Sequence, residues 1–118
     1  MQYMLLIYSN ETGFAEMTQE QAKTMTGAFM AYTEAMKAAG AWVGGERLLP
    51  TTNATTVRAP GGDVQIHDGP FAETKEQLGG YYIVEAPDLD AALAWAKKCP
   101  ATSRGSVEVR PVFANPYA

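Results

Sequence analysis

Hydrophobic positions along this chain of 118 residues switch between a period of two and a helical period, and the switches mark its elements. Residues 3–8 are apolar on both alternating faces, with Met4, Leu6 and Tyr8 on one and Tyr3, Leu5 and Ile7 on the other, which predicts a strand covered on both sides. Thr18 and Gln21 fit a capping box, so a helix is predicted to begin near Gln19. Met25, Phe29, Tyr32 and Met36 then form one apolar stripe until Gly40 offers a stop. Residues 42–48 read as a short strand whose Gly44 and Gly45 permit a bulge or a close backbone approach. Residues 55–58 and 64–67, around Ala59-Pro60-Gly61-Gly62-Asp63, read as a hairpin. A strand is predicted over 80–86. A second helix is capped by Asp88, with Leu89, Ala92, Leu93 and Ala96 as its buried stripe and Pro100 as its end. The last strand, 106–113, carries Val107 and Val109 on one face and Glu108, Arg110 and Val112 on the other.

This order predicts an α+β fold, the ferredoxin-like split βαββαβ arrangement with an inserted β-hairpin, as one domain over residues 1–118. Two helices hide one face of a sheet, yet Met4, Leu6, Tyr8 and residues 81–84 leave apolar side chains on both. A homodimer with its two sheets packed face to face around a shared interior is therefore expected.

Charge narrows the partners. Nine Lys and Arg against thirteen Asp and Glu give a net charge of −4, with no basic run, so no nucleic-acid partner is expected. The single cysteine, Cys99, cannot form an intrachain disulfide; it reads as a small core residue, with a thiol activated by Lys97 and Lys98 as the alternative. The apolar opening is too short for a signal peptide or membrane span, so a cytoplasmic protein with no membrane partner is expected.

Residues 68–82, D-G-P-F-A-E-T-K-E-Q-L-G-G-Y-Y, hold the densest chemistry. Asp68-Gly69-Pro70 is a turn, Phe71 is expected to plug into the core, and Thr74-x-x-Gln77 predicts one helical turn over 75–78 before Gly79 and Gly80. The bend is expected to gather Asp68, Glu73, Lys75 and Glu76 at the mouth of the sheet cleft, with Lys75 holding an anionic ligand; the alternative is a set of solvated charges. His67, the only histidine, is a candidate general base beside Asp68, although neighbours in a strand point to opposite faces. A charge on Arg110 inside a shared interior needs a carboxylate, for which Glu46 is the first choice and Glu108 the second. Tyr81 and Tyr82 add a ligand-contacting edge. The candidate site is thus Asp68 and His67 as catalytic groups, with Arg110, Glu46, Lys75 and Tyr82 binding substrate. One His and one Cys do not suffice for an ordinary zinc cluster, and a magnesium or calcium site on Asp63, Asp68 or Glu73 is the weaker alternative.

The bend resembles the signature of the DGPF branch of the YCII-related family. The segments W-V-G-G-E-R-L (42–48), A-T-T-V-R (54–58) and G-S-V-E-V-R-P-V (105–112) resemble the same branch, in order. The resemblance spans essentially the whole chain. It implies a dimeric ferredoxin-like α/β barrel in the cytoplasm, and members often lie beside genes for extracytoplasmic-function sigma factors. In shorter members a helical histidine and an aspartate are proposed as a catalytic pair. Here Phe29 falls near that histidine's position and no His lies between Thr18 and Gly40, so the pair is not carried over. Dehydrochlorinase activity in another member implies that the scaffold accommodates lyase chemistry.

Three functions follow. The first is an enzyme without organic cofactor, acting on a small organic acid or oxidised metabolite by lyase-type or proton-transfer chemistry. The second is a non-catalytic ligand-binding or regulatory module linked to a sigma factor. A purely structural interaction protein is a third.

Overall fold

β1 (Gln2–Ser9) lies inside the sheet, antiparallel to a strand on either side, as its two apolar faces require. In this computed structural model, which describes residues 1–117, the chain continues through α1 (Glu11–Ala15), α2 (Gln19–Ala38), β2 (Trp42–Arg47), β3 (Thr55–Arg58), β4 (Gln65–Asp68), β5 (Gln77–Glu85), α3 (Leu89–Lys98) and β6 (Gly105–Pro111). The main sheet runs β2-β5-β1-β6, antiparallel throughout, which is the strand order of the split βαβ arrangement. The hairpin β3-β4 forms a separate two-stranded sheet.

Local chemistry sets the helix ends. Thr18 and Gln21 exchange side-chain-to-backbone hydrogen bonds of 3.1 and 3.0 Å, completing the capping box of α2. At its other end Gly40 turns to φ +72°, Ala41 N–H donates to Met36 C=O and Gly40 N–H to Lys37 C=O, the paired bonds of a Schellman stop. Asp88 caps α3 by accepting from the Ala91 N–H. α1 was not expected; Asn10 caps it by accepting from the Thr12 N–H. Among the described residues no helix is long and apolar enough to cross a membrane.

The core lies between one sheet face and the helices. Tyr3, Leu5 and Val84 meet Tyr32 and Met36 of α2, Ala92 and Ala96 of α3, and Cys99. Burying each large aliphatic side chain contributes roughly 1.5–3 kcal/mol. Val107 and Val109 pack on this face, leaving Glu108 and Arg110 on the other, as the alternation requires. Ala92 and Ala96 of the expected α3 stripe are buried, whereas Leu89, at the first position of the helix, is exposed, contrary to expectation. α2 is seated unevenly: Tyr32 and Met36 are buried in its second half, whereas Met25 and Phe29 in its first half are only half-buried.

Two bulges decide which side chains share a face. The β2–β5 register shifts between Trp42 and Gly44, and the β1–β5 register shifts at Ile7/Tyr8. Gly45 satisfies the expected close approach: a Cβ there would lie 2.7 Å from the Tyr81 carbonyl oxygen. Residues 75–78 do not form a helical turn. Gln77 instead opens β5, its amide nitrogen donating to the Thr74 carbonyl while its amide oxygen accepts from the Glu11 N–H. β6 stops at Pro111, short of the expected Phe113, which is exposed.

Candidate functional site

A groove of about 840 Å3 separates the first half of α2 from the sheet, within the range of small-molecule sites. Its wall on the helix side is Met25, Phe29, Met30 and Thr33, and its sheet side includes Ile7, Trp42 and Tyr82 beside the bare backbone of Gly45, Gly79 and Gly80. The outer rim is the segment from Leu48 to Pro50. Glu11 fixes that rim by accepting from both the N–H and the hydroxyl of Thr51, each at 2.7 Å. Its carboxylate is thus engaged from both oxygens.

Aromatic rings build the floor. Tyr82 meets Tyr32 and Trp42 edge to face, with centroids 5.4 and 5.9 Å apart, and Tyr32 donates its hydroxyl hydrogen bond to the Trp95 carbonyl at 2.6 Å. The Tyr82 and Thr33 hydroxyls are 3.4 Å apart. Arg47 stands at the mouth, its guanidinium 5.7 Å from the centre of the Phe14 ring, and makes no ion pair among the described residues.

Burial keeps the phenols protonated. It raises the Tyr82 hydroxyl, partly offset by the bond to Thr33 and reinforced by Cys99. Burial, then the charges of Cys99 and Tyr82, push Tyr32 well above its ordinary value. The Cys99 thiol is also raised by burial, against the bond from the Ala101 backbone, so it is not an activated thiolate. Each of these groups retains its proton in the fold at a pH where the unfolded chain has lost it. Their stabilisation is complete below the ordinary thiol value of 9.0 and is lost as pH rises past it and past the phenol value of 10.0. Urea midpoints should fall from pH 8 to about pH 10.5; a flat profile across that window would contradict the assignment.

Of the six residues assigned to the candidate site from the sequence, only Tyr82 and Glu46 border this groove, together with Tyr81 of the expected ligand-contacting edge. The register puts Glu46 opposite Tyr81, on the sheet face away from the helices. Arg110 pairs with Glu108, the second choice, through its Nε at 2.8 Å; Glu46 is not its partner, because it lies on β2 at the opposite edge of the sheet from β6. His67 and Asp68 sit on β4 in the separate hairpin, both exposed, and Lys75 is exposed without an ion pair among the described residues. Phe71 is 75% exposed and lies under Arg58, not in the core. Of the bend's charges only Glu76 reaches the sheet, accepting from the Ser106 hydroxyl. The bend therefore does not gather its charges over a cleft. Among the described residues no group of three or more His, Cys, Asp or Glu is placed to hold a metal.

Arg47, Glu11 and Thr33 were missed. Alternation from Trp42 through an unbroken strand places Arg47 on the face opposite Trp42. The bulge after Trp42 reverses that assignment, and Gly44-Gly45 was the available signal for it. A second, more open hollow of about 700 Å3 lies between the start of α2 and the end of α3, bordered by Lys97, Lys98 and Arg104.

The strand order, with the helices packed on one sheet face, defines a small α+β domain of the split βαβ type. The chain belongs to the YCII-related family, whose domain model matches residues 1–115. An uncharacterised protein of Rhizobium meliloti (strain 1021) is 38% identical over 114 residues, 95% of this chain and 92% of that protein. Among solved structures, 5-chloro-2-hydroxyhydroquinone dehydrochlorinase from Burkholderia phenoliruptrix, in complex with 2,5-dihydroxybenzoquinone, is similar over 99% of this chain and 98% of that one. The TM-score is 0.58 at 16% identity, a likeness of fold.

Proposed function

We propose that this protein takes a small planar organic anion, a hydroxyquinone or aromatic acid, into the groove beside α2 and acts on it by proton transfer without an organic cofactor. The observation that carries the reading is Arg47, a cation with no carboxylate partner among the described residues, at the mouth of an apolar groove whose inner wall bears a protonated tyrosine. Glycine backbone at Gly45, Gly79 and Gly80 leaves a flat surface against which a ring can lie. Arg47 holds the anionic edge, and the Tyr82 hydroxyl donates to an oxygen on which charge develops. The fold's likeness to a dehydrochlorinase solved with a dihydroxybenzoquinone supports this ligand class.

A second reading, a ligand-binding or regulatory module linked to a sigma factor, fits one observation: both Glu11 oxygens accept from Thr51, so this carboxylate serves to hold the groove rim. In either reading the protein is a cytoplasmic homodimer of the DGPF branch. Met4, Leu6, Tyr8, Tyr81 and Ile83, on the sheet face without helices, supply the contact of a dimeric barrel. Calorimetric titration with 2,5-dihydroxybenzoquinone and with 2,5-dihydroxybenzoate tests the site. Arg47→Gln should weaken binding by about ten- to a hundredfold, the worth of one charged hydrogen bond. Tyr82→Phe should lower turnover about a hundredfold or more if proton transfer occurs, and should alter only affinity in a sensor. No binding of either compound, or equal binding by Arg47→Gln, would reject the ligand class.

A further inference from the structure

Among the described residues no helix and no strand of the main sheet packs substantially on the hairpin β3-β4. Val57 and Ile66 form a cross-strand pair on one face and are 62% and 72% exposed; Val64 beside them is 70% exposed. Arg58 lies on the opposite face, over the exposed Phe71 ring. A two-stranded ribbon of four residues per strand has no stability of its own in water, and this one presents apolar groups on both sides. Its base is pinned to the chain by the Gly69 N–H donating to the Ala54 carbonyl at 2.8 Å and by the Thr56 hydroxyl donating to Gly69.

The whole chain carries the mark of a missing partner. Its accessible surface is 8187 Å2, against about 6,200 Å2 for a self-sufficient monomer of this mass. The excess, about 2,000 Å2, is more than twice the roughly 800 Å2 each partner contributes to a standard interface. The radius of gyration is 16.3 Å, where a compact domain of this length has about 13–14 Å. We infer that the hairpin is a clasp that packs through Val57, Ile66, Val64 and Phe71 on a second copy of this chain. A second copy is the occupant because the uncovered surface belongs to every molecule, and a two-fold pair covers both clasps at once. Chains left uncovered in this way would instead associate without limit through the ribbon's open edges. The clasp adds to the contact proposed for the open sheet face.

Two altered chains test the clasp. Val57→Lys with Ile66→Lys places two charges on exposed positions, which leaves the monomer's own fold intact. A second chain lacks residues 55–68, with Ala54 joined to Gly69 through two glycines, a short bridge because these two residues are already hydrogen-bonded. Circular dichroism reports folding and sedimentation equilibrium reports association. The unaltered chain should be a dimer, and both altered chains should keep their helical signal while the dimer dissociation constant rises by at least about tenfold. Association within about threefold of the unaltered chain in both altered chains overturns the clasp while leaving the sheet-face dimer standing. A monomeric unaltered chain overturns both.

Discussion

Leu5→Ala should cost about 2–5 kcal/mol. Leu5 is fully buried in the middle of β1, between Tyr82 on β5 and Val109 on β6, and the strands around it are hydrogen-bonded on both sides. A backbone so constrained closes poorly around a lost side chain, so a cavity remains and adds to the transfer cost. For a small domain whose total stability is on the order of 5–15 kcal/mol, this is between about an eighth and the whole of the reserve. Leu49→Ala, at a residue 74% exposed on the groove rim, should change stability by less than about 0.5 kcal/mol. Urea unfolding of the two variants side by side is the measurement. Equal losses would mean that the core is not centred on β1.

Gly45→Ala should be destabilising by about 1–3 kcal/mol although alanine is ordinarily the better strand residue. The added methyl would meet the Tyr81 carbonyl at 2.7 Å, Tyr82 Cδ1 at 2.8 Å and Tyr82 Cα at 3.3 Å, and two of these three atoms are backbone of the neighbouring strand. Relief requires β2 to move from β5 or the Tyr82 ring to turn away from Thr33, so groove ligands should bind less tightly as well. Gly44→Ala is the matched comparison: a methyl there meets nothing within 4 Å, and its unfolding midpoint should be unchanged or raised. A neutral Gly45→Ala would show that β2 yields freely, and the flat groove wall would lose its structural basis.

Much of the fold was legible because its signals are local. The Thr18–Gln21 cap, the Gly40 stop and the Asp88 cap each depend on residues within a few positions, and all three are formed. The hairpin was legible too, through its glycine turn and β-branched arms, but not its separation from the main sheet, which is a matter of tertiary placement. The site was read less well for a physical reason. Alternation assigns faces only while the register is unbroken, and the bulges at Trp42/Gly44 and Ile7/Tyr8 lie on two of the strands that border the groove. Arg47 was thereby overlooked. The polar bend drew notice for its charge density, yet charge is what an uncovered segment carries to remain in water, and most of this segment is exposed. Tyr82 was found, although on the helix-covered face and not in a space between two sheets.

The uneven seating of α2 has a mechanical meaning. With Tyr32 and Met36 locked into the core and the Gly40 stop holding the far end, the helix is a lever whose fulcrum is its last two turns. Its leading turns, carrying Met25 and Phe29 over the groove, are held by half-buried side chains only. On the proposed function, tilting this one rod would admit guests of different bulk with the packed interior left undisturbed.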